Sequence, residues 1–235
     1  MTHHTTCHVL PIALLLLLVT ACQPVSATGE ATLLPAPRVD AAKTATHGDQ
    51  VAVFAGGCFW GIEAVFQHIK GVTQATAGYS GGHADSAHYD VVSSGGTGHA
   101  ESVRVHFDPA RVSYGTLLQA FFSVALDPTE LNRQGPDHGS QYRSVIFYTN
   151  DEQRQIATAY LAQLTAAKSF RAPIVTQVVP LKAFYVAEDY HQDYFEKHPH
   201  APYIVYNDAP KVAHLKQLFP DLYQSPRQFV QVQLH

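Results

Sequence analysis

Apolar and polar positions follow two periods along this chain, and the switches between them mark out its elements. Gln50 to Ala55 (Gln-Val-Ala-Val-Phe-Ala) is β-branched and apolar and ends at Gly56-Gly57, which predicts a buried strand. From Cys58 to Ile69 the apolar residues Phe59, Ile62, Val65, Phe66 and Ile69 recur at three- and four-residue spacing. That period predicts an amphipathic helix, stopped near Gly71. Ser102 to Phe107 alternates at period two and ends at Asp108-Pro109, the pattern of a half-buried strand. Ser144–Tyr148 and Val175–Val179 read as further strands, and Tyr114–Ala125, Glu152–Lys168, Ala187–Lys197 and Pro210–Leu218 as helices. The Gly- and Ser-rich stretch from Gly78 to Gly98 reads as loop. Strands and helices alternate irregularly, so the expected fold is α+β: a two-layer sandwich on a mixed sheet, a ferredoxin-like plait elaborated by long loops.

The ends of the chain follow another pattern. Leu10 to Val19 is continuously apolar, too short to span a bilayer but the right length for the core of an export signal. It runs into Leu18-Val19-Thr20-Ala21-Cys22, which resembles the lipobox of bacterial lipoproteins. Residues 1–21 are then a signal peptide and Cys22 the lipidated first residue of an exported, membrane-anchored protein facing the periplasm or cell exterior. From Gln23 to Gly48 the chain is rich in Ala, Thr and Pro without apolar period, so residues 22–48 read as a flexible linker of about 25–30 Å. The compact domain is expected over 49–215, with a loosely ordered tail over 216–235.

Composition narrows the chemistry. The 235 residues fit one domain with extensions, and only 14% are charged. With 15 Lys and Arg against 19 Asp and Glu, the net charge of -4 offers no broad basic surface to nucleic acid. The 15 histidines are scattered without the spacing of zinc ligands, so no metal is expected. Of the three cysteines, Cys7 lies in the signal and Cys22 at its cleavage site, leaving Cys58 as the sole thiol of the processed chain. A strand that ends in two glycines and delivers a cysteine into the first turn of a helix places sulfur among unpaired N–H groups, which predicts a lowered pKa and a reactive thiolate.

Around Cys58 the sequence resembles the A-type peptide methionine sulfoxide reductases. The signature is Gly57-Cys58-Phe59-Trp60-Gly61, followed in the family's order by Gly78-Tyr79-Ser80-Gly81-Gly82, Gly98-His99-Ala100-Glu101, Arg133-Gln134-Gly135-Pro136-Asp137, Gly139-Ser140-Gln141-Tyr142-Arg143-Ser144 and Ala187-Glu188-Asp189-Tyr190-His191-Gln192-Asp193-Tyr194. The resemblance implies reduction of methionine S-sulfoxide in oxidised proteins. Cys58 would be the nucleophile, left as a sulfenic acid, and Glu101 the acid that protonates the sulfoxide oxygen. Tyr79 and Tyr142 would be the phenols that hydrogen-bond that oxygen, Phe59 and Trp60 the wall around the substrate methyl, and Asp137 a carboxylate at the site's edge. No bound cofactor is implied; a thioredoxin-like donor or another external thiol would recycle the enzyme. Ile204 stands where many members carry cysteine, and no cysteine follows Cys58. Two other readings compete on the residues alone: a Cys58-dependent hydrolase or acyltransferase with His191 or His99 as base, and a non-enzymatic binding lipoprotein with a Tyr-rich pocket.

Overall fold

The computed structural model describes residues 1, 31–42 and 47–225. The expected signal segment, Cys22 and residues 226–235 lie outside the described residues. A six-stranded mixed sheet organises the rest, in the order β7-β6-β1-β3-β2-β8. Its strands are β1 (Gln50–Ala55), β2 (Val72–Ser80), β3 (Ala100–Phe107), β6 (Val145–Tyr148), β7 (Gln177–Pro180) and β8 (Phe184–Val186). Every pairing is antiparallel except β6 with β7. A separate two-residue ribbon pairs β4 (Arg133–Gln134) with β5 (Asp137–His138).

The helices are α1 (Phe59–Gln67), α2 (Tyr89–Val92), α3 (Tyr114–Ala120), α4 (Asp151–Ala166), α5 (Tyr194–Lys197) and α6 (Ala209–Leu218). Side-chain caps start two of them, Ser113 accepting from the Thr116 N–H and Asn150 from the Gln153 N–H, each satisfying one of the donors a helix start leaves orphaned. The strand period divides the burial: Ala52 and Phe54 of β1 point into the main core, while Val53 and Ala55 join a smaller cluster with Ala100, Val145 and Phe147. Phe54 stacks on Phe66 of α1 at 4.9 Å and meets Phe121 at 5.1 Å, so α1 is fastened to the sheet by rings that each contribute about 1.5–3 kcal/mol on burial.

Four sequence expectations need correction. The loop expected from Gly78 begins as the end of β2, a strand paired on both sides that the sequence concealed because Ala75, Ala77 and Gly78 are small. A Cβ at Gly78 would collide with the Tyr185 carbonyl, so only glycine lets β8 pair there. The helix expected over Ala187–Lys197 is broken into a 3-10 turn at Asp189–His191 and α5, because Asp193 takes the left-handed conformation (φ 55°). The helix beginning at Tyr114 changes to a π-turn over Phe121–Ala125.

The fourth correction concerns the extensions. Residues 31–42, read as solvated linker, lie along α3 and α4: Leu34 is 5% exposed and joins the main core. Its N–H donates to Ser123 Oγ at 3.2 Å and its carbonyl accepts from Gln119 Nε2 at 2.7 Å. Tyr160 donates to the Pro35 carbonyl, Gln163 bonds Ala36 and Arg38, and Asp40 accepts from the Gly115 N–H at 2.7 Å. Side chains supply these bonds, so the segment needs no periodic signal to be ordered. The tail is likewise packed as far as Gln224, whose Nε2 donates to the Gln67 and Ile69 carbonyls.

Candidate active site

Gly57 begins the site. Its φ of +98° is open to glycine, and a Cβ there would stand 2.6 Å from the Gln134 side chain. This turn hands Cys58 to the N-cap position of α1 with only 8% of its surface exposed. The next residue's N–H donates to Glu101 Oε2 at 3.0 Å, so the carboxyl on β3 lies against the helix start that carries the sulfur. Gly61, one turn along α1, lets Asp208 pack directly on the helix, since a Cβ would collide with Asp208 Oδ1. Asp208 is fully buried and pairs with Lys211 at 3.1 Å.

These carboxyls decide the protonation. Burial raises Glu101 to about 8, helped by Asp137 and Asp208, while the Phe59 N–H pulls it down. At pH 7 Glu101 therefore keeps its proton. Cys58 is pushed well above the ordinary thiol range, first by burial, then by Glu101 and Asp208, against the Trp60 N–H and Lys211. The lowered pKa expected from the helix start is overturned: desolvation outweighs the few N–H dipoles, and the resting group is a thiol.

The other sequence-named residues are brought together with one exchange. Tyr142, on a 3-10 turn over Ser140–Tyr142, has its phenol raised by burial, then by Glu101, Asp137, Tyr89 and Cys58. Arg143 ties that turn to the approach to β3, donating to the carbonyls of Ser140, His99 and Gly98 at 2.8–2.9 Å. Tyr79 lies opposite Glu101 across the β2–β3 ladder, but it is 0% exposed and its hydroxyl donates to Glu188 Oε2 at 2.9 Å. A hydroxyl has one proton, so Tyr79 offers no free donor to a substrate. The phenol that shares Tyr142's electrostatic surroundings is Tyr89: after burial, Glu101 and Cys58 are what raise it, and no hydrogen bond of its hydroxyl occurs among the described residues. Sequence reading missed Tyr89 because it sits inside the stretch taken as loop. A second large aromatic, after Tyr79, in a Gly- and Ser-rich run was the available signal.

Trp60 is gripped on several sides. Its ring stacks on Tyr194 at 3.8 Å and 9°, meets Tyr203 edge-on at 5.7 Å, and its Nε1 donates to His191 Nδ1 at 3.1 Å. Phe59 is buried against Tyr79 and His191. Asp137, on β5, accepts from the Tyr203 hydroxyl and has its pKa raised, chiefly by burial. Tyr203, Glu188 and the Asp208–Lys211 pair are further members to which the sequence assigned no role. Of the two histidines considered as hydrolase bases, His99 accepts from the Gly82 N–H and lies 2.9 Å from the His83 carbonyl, while His191 accepts from Trp60 through Nδ1 and its buried Nε2 has no hydrogen-bond partner among the described residues. Neither hydrogen-bonds Cys58, so the hydrolase reading lacks its base. No group of three His, Cys, Asp or Glu placed to hold a metal occurs among the described residues.

Comparison with known proteins fits this site. The family model for peptide methionine sulfoxide reductase matches residues 50–222. A peptide methionine sulfoxide reductase MsrA 2 of Mesorhizobium japonicum is 60% identical over 179 residues, covering 76% of this chain and 92% of that protein. One of Synechocystis is 50% identical over 191 residues, covering 80% and 89%. Among solved structures, methionine sulfoxide reductase A of Corynebacterium diphtheriae superposes with a TM-score of 0.57 at 33% identity, covering 74% of this chain and 89% of that one. The reduced form of Mxr1 from Saccharomyces cerevisiae gives 0.57 at 31% identity, covering 72% and 94%. A buried thiol beside a protonated carboxyl and two phenols, in a chain matched by the family model over residues 50–222, identifies a member of the peptide methionine sulfoxide reductase family.

Proposed function

We propose that this protein reduces methionine S-sulfoxide in peptides and oxidised proteins, through a Cys58 sulfenic acid that an external thiol recycles. The observation that carries the reading is Glu101, a neutral carboxyl at pH 7 bonded to the N–H next to Cys58. As Cys58 Sγ attacks the sulfoxide sulfur, negative charge builds on oxygen, and Glu101 supplies a proton. The carboxylate so formed is the base that receives the thiol's own proton. Tyr89 and Tyr142 donate hydrogen bonds to the same oxygen, acting as preorganised dipoles where its charge develops. Trp60 and Phe59 hold the methyl, and Asp137 with Tyr203 closes the edge. The balance is simple: a thiol and a sulfoxide become a sulfenic acid and a thioether, with the oxygen and a two-electron oxidation passing to the Cys58 sulfur.

Because oxygen and methyl are held by separate walls, one sulfoxide epimer should turn over. With dithiothreitol and a peptide carrying both epimers, the full chain is expected to consume half the sulfoxide, the S form, and stop. Equal consumption of both would overturn the assignment of the two walls, and no methionine at all would overturn the activity.

The same reading makes the protein a lipoprotein anchored through Cys22 and exported, supplied with electrons by a thioredoxin-like partner. Its support is the apolar Leu10–Val19 run and the sequence before Cys22. No helix among the described residues is long and apolar enough to cross a membrane. Wild-type protein is expected with the membrane fraction, and Cys22→Ala should release it or stop its processing; a soluble wild type would contradict the anchor. Within the sheet, the order β6-β1-β3-β2, with α1 following β1 and α3 following β3, supports a ferredoxin-like plait as the four-stranded core.

A further inference from the structure

Glu188 belongs to neither the nucleophile, the acid nor the donors, yet both its oxygens are spent on the site's tyrosines. Oε2 accepts from the Tyr79 hydroxyl at 2.9 Å and Oε1 from the Tyr89 backbone N–H at 2.9 Å. It follows β8 in the chain and so reaches across to β2 on one side and α2 on the other.

Each contact has a reason. Tyr79 is fully buried in the sheet and cannot shift, so it is a rigid post. Tyr89 opens a helix of only four residues whose N-cap, His88, provides no side-chain hydrogen bond. So short a helix has little stability of its own. Glycines flank it, with Gly81 on one side and Gly95 and Gly96 on the other at positive φ. The Glu188 bond therefore holds the backbone of Tyr89 where its own helix cannot, while the ring rests on His191 at 4.4 Å. Burial works against an ionised Glu188, but the Tyr89 N–H, its own N–H and the Tyr79 hydroxyl outweigh it and keep the carboxyl below the usual range.

We infer that Glu188 is a positioning residue for the reaction: a carboxylate clamp that braces Tyr89 against the buried Tyr79, so that the Tyr89 hydroxyl stands ready beside Cys58 and Glu101. This rests on the sulfoxide reductase reading above. Loss of the clamp leaves the substrate's other contacts in place and lets one donor wander, and a misplacement of about 1 Å at a reacting centre costs on the order of 100-fold.

The test is a double-mutant cycle on the full chain, with enzyme in excess over a methionine S-sulfoxide peptide so that the chemical step is read directly. Glu188→Ala is expected to slow that step by about 10- to 100-fold, with the enzyme concentration at half-maximal rate moving less than threefold. In a Tyr89→Phe background the same change should cost less than about threefold, because the group it positions is gone. Glu188→Gln, which keeps an acceptor for the Tyr89 N–H, should recover most of the loss. Glu188→Asp serves if the alanine variant does not fold: it keeps the charge but is one methylene short, and its loss should likewise vanish with Tyr89→Phe. Losses that multiply in either cycle, or an effect confined to half-saturation, would overturn the clamp. A wild type that leaves sulfoxide untouched would instead overturn the parent reading, and the two failures are distinct.

Discussion

Replacing Glu101 with glutamine should slow the chemical step by about 10²–10⁴ while the protein still folds and binds sulfoxide, since the amide keeps the shape and loses the transferable proton. The size follows from the site. Glu101 is 2% exposed and lies against the start of α1, so solvent is poorly placed to deliver a proton in its stead. The sign of the pH dependence follows from the raised pKa: the active form is protonated, so single-turnover rates should hold below pH 8 and fall as pH rises through about 8. A rate that climbs through that range would show that thiolate formation limits the step, and a Glu101→Gln variant within threefold of wild type would make Glu101 structural.

How much of this was legible in the sequence depended on whether local period or distant contact decides a residue's place. β1 and α1 were readable from local pattern: β1 is a short apolar run closed by two glycines, and the large apolar residues Ile62, Val65, Phe66 and Ile69 recur at helical spacing. Cys58, Glu101 and Tyr142 were named from short motifs, and the fold gathers them because Gly57 turns β1 into α1 directly beside β3. β2 was hidden because Ala75, Ala77 and Gly78 are small for reasons of close packing, which hydropathy does not register. Tyr79 and Tyr89 could not be ranked from sequence at all. Their difference is one hydrogen bond to Glu188, 109 residues from Tyr79. The thiol's protonation was also out of reach, because the desolvation that opposes the helix start comes from elements far away in the chain.

The last expectation concerns recycling. Without reductant, the enzyme should release about one methionine per molecule and then stop. Cys58 is the free cysteine of the described residues, and Cys7 and Cys22, the other two in the chain, fall in the expected signal and at its acylated end. Ile204, where many relatives carry a cysteine, is buried at the start of a π-turn beside Tyr203 and has no thiol to offer. The sulfenic acid left by the first turnover thus meets no partner in its own chain, whereas a member with one resolving cysteine would form a disulfide and release a second methionine. Restart needs two thiols from outside. The first condenses with the sulfenic acid to give a mixed disulfide and water, and the second attacks that disulfide, returning Cys58 as thiol and leaving the donor oxidised. An exported enzyme would need this donor kept reduced beyond the cytosol. Mass spectrometry after exposure to excess sulfoxide peptide, with dimedone present, should find the adduct on Cys58 and a burst near one equivalent. Adding dithiothreitol in place of dimedone should restore steady turnover. A burst of two, or continued turnover with neither thiol nor adduct, would show a reductant within the chain and sink the one-cysteine cycle.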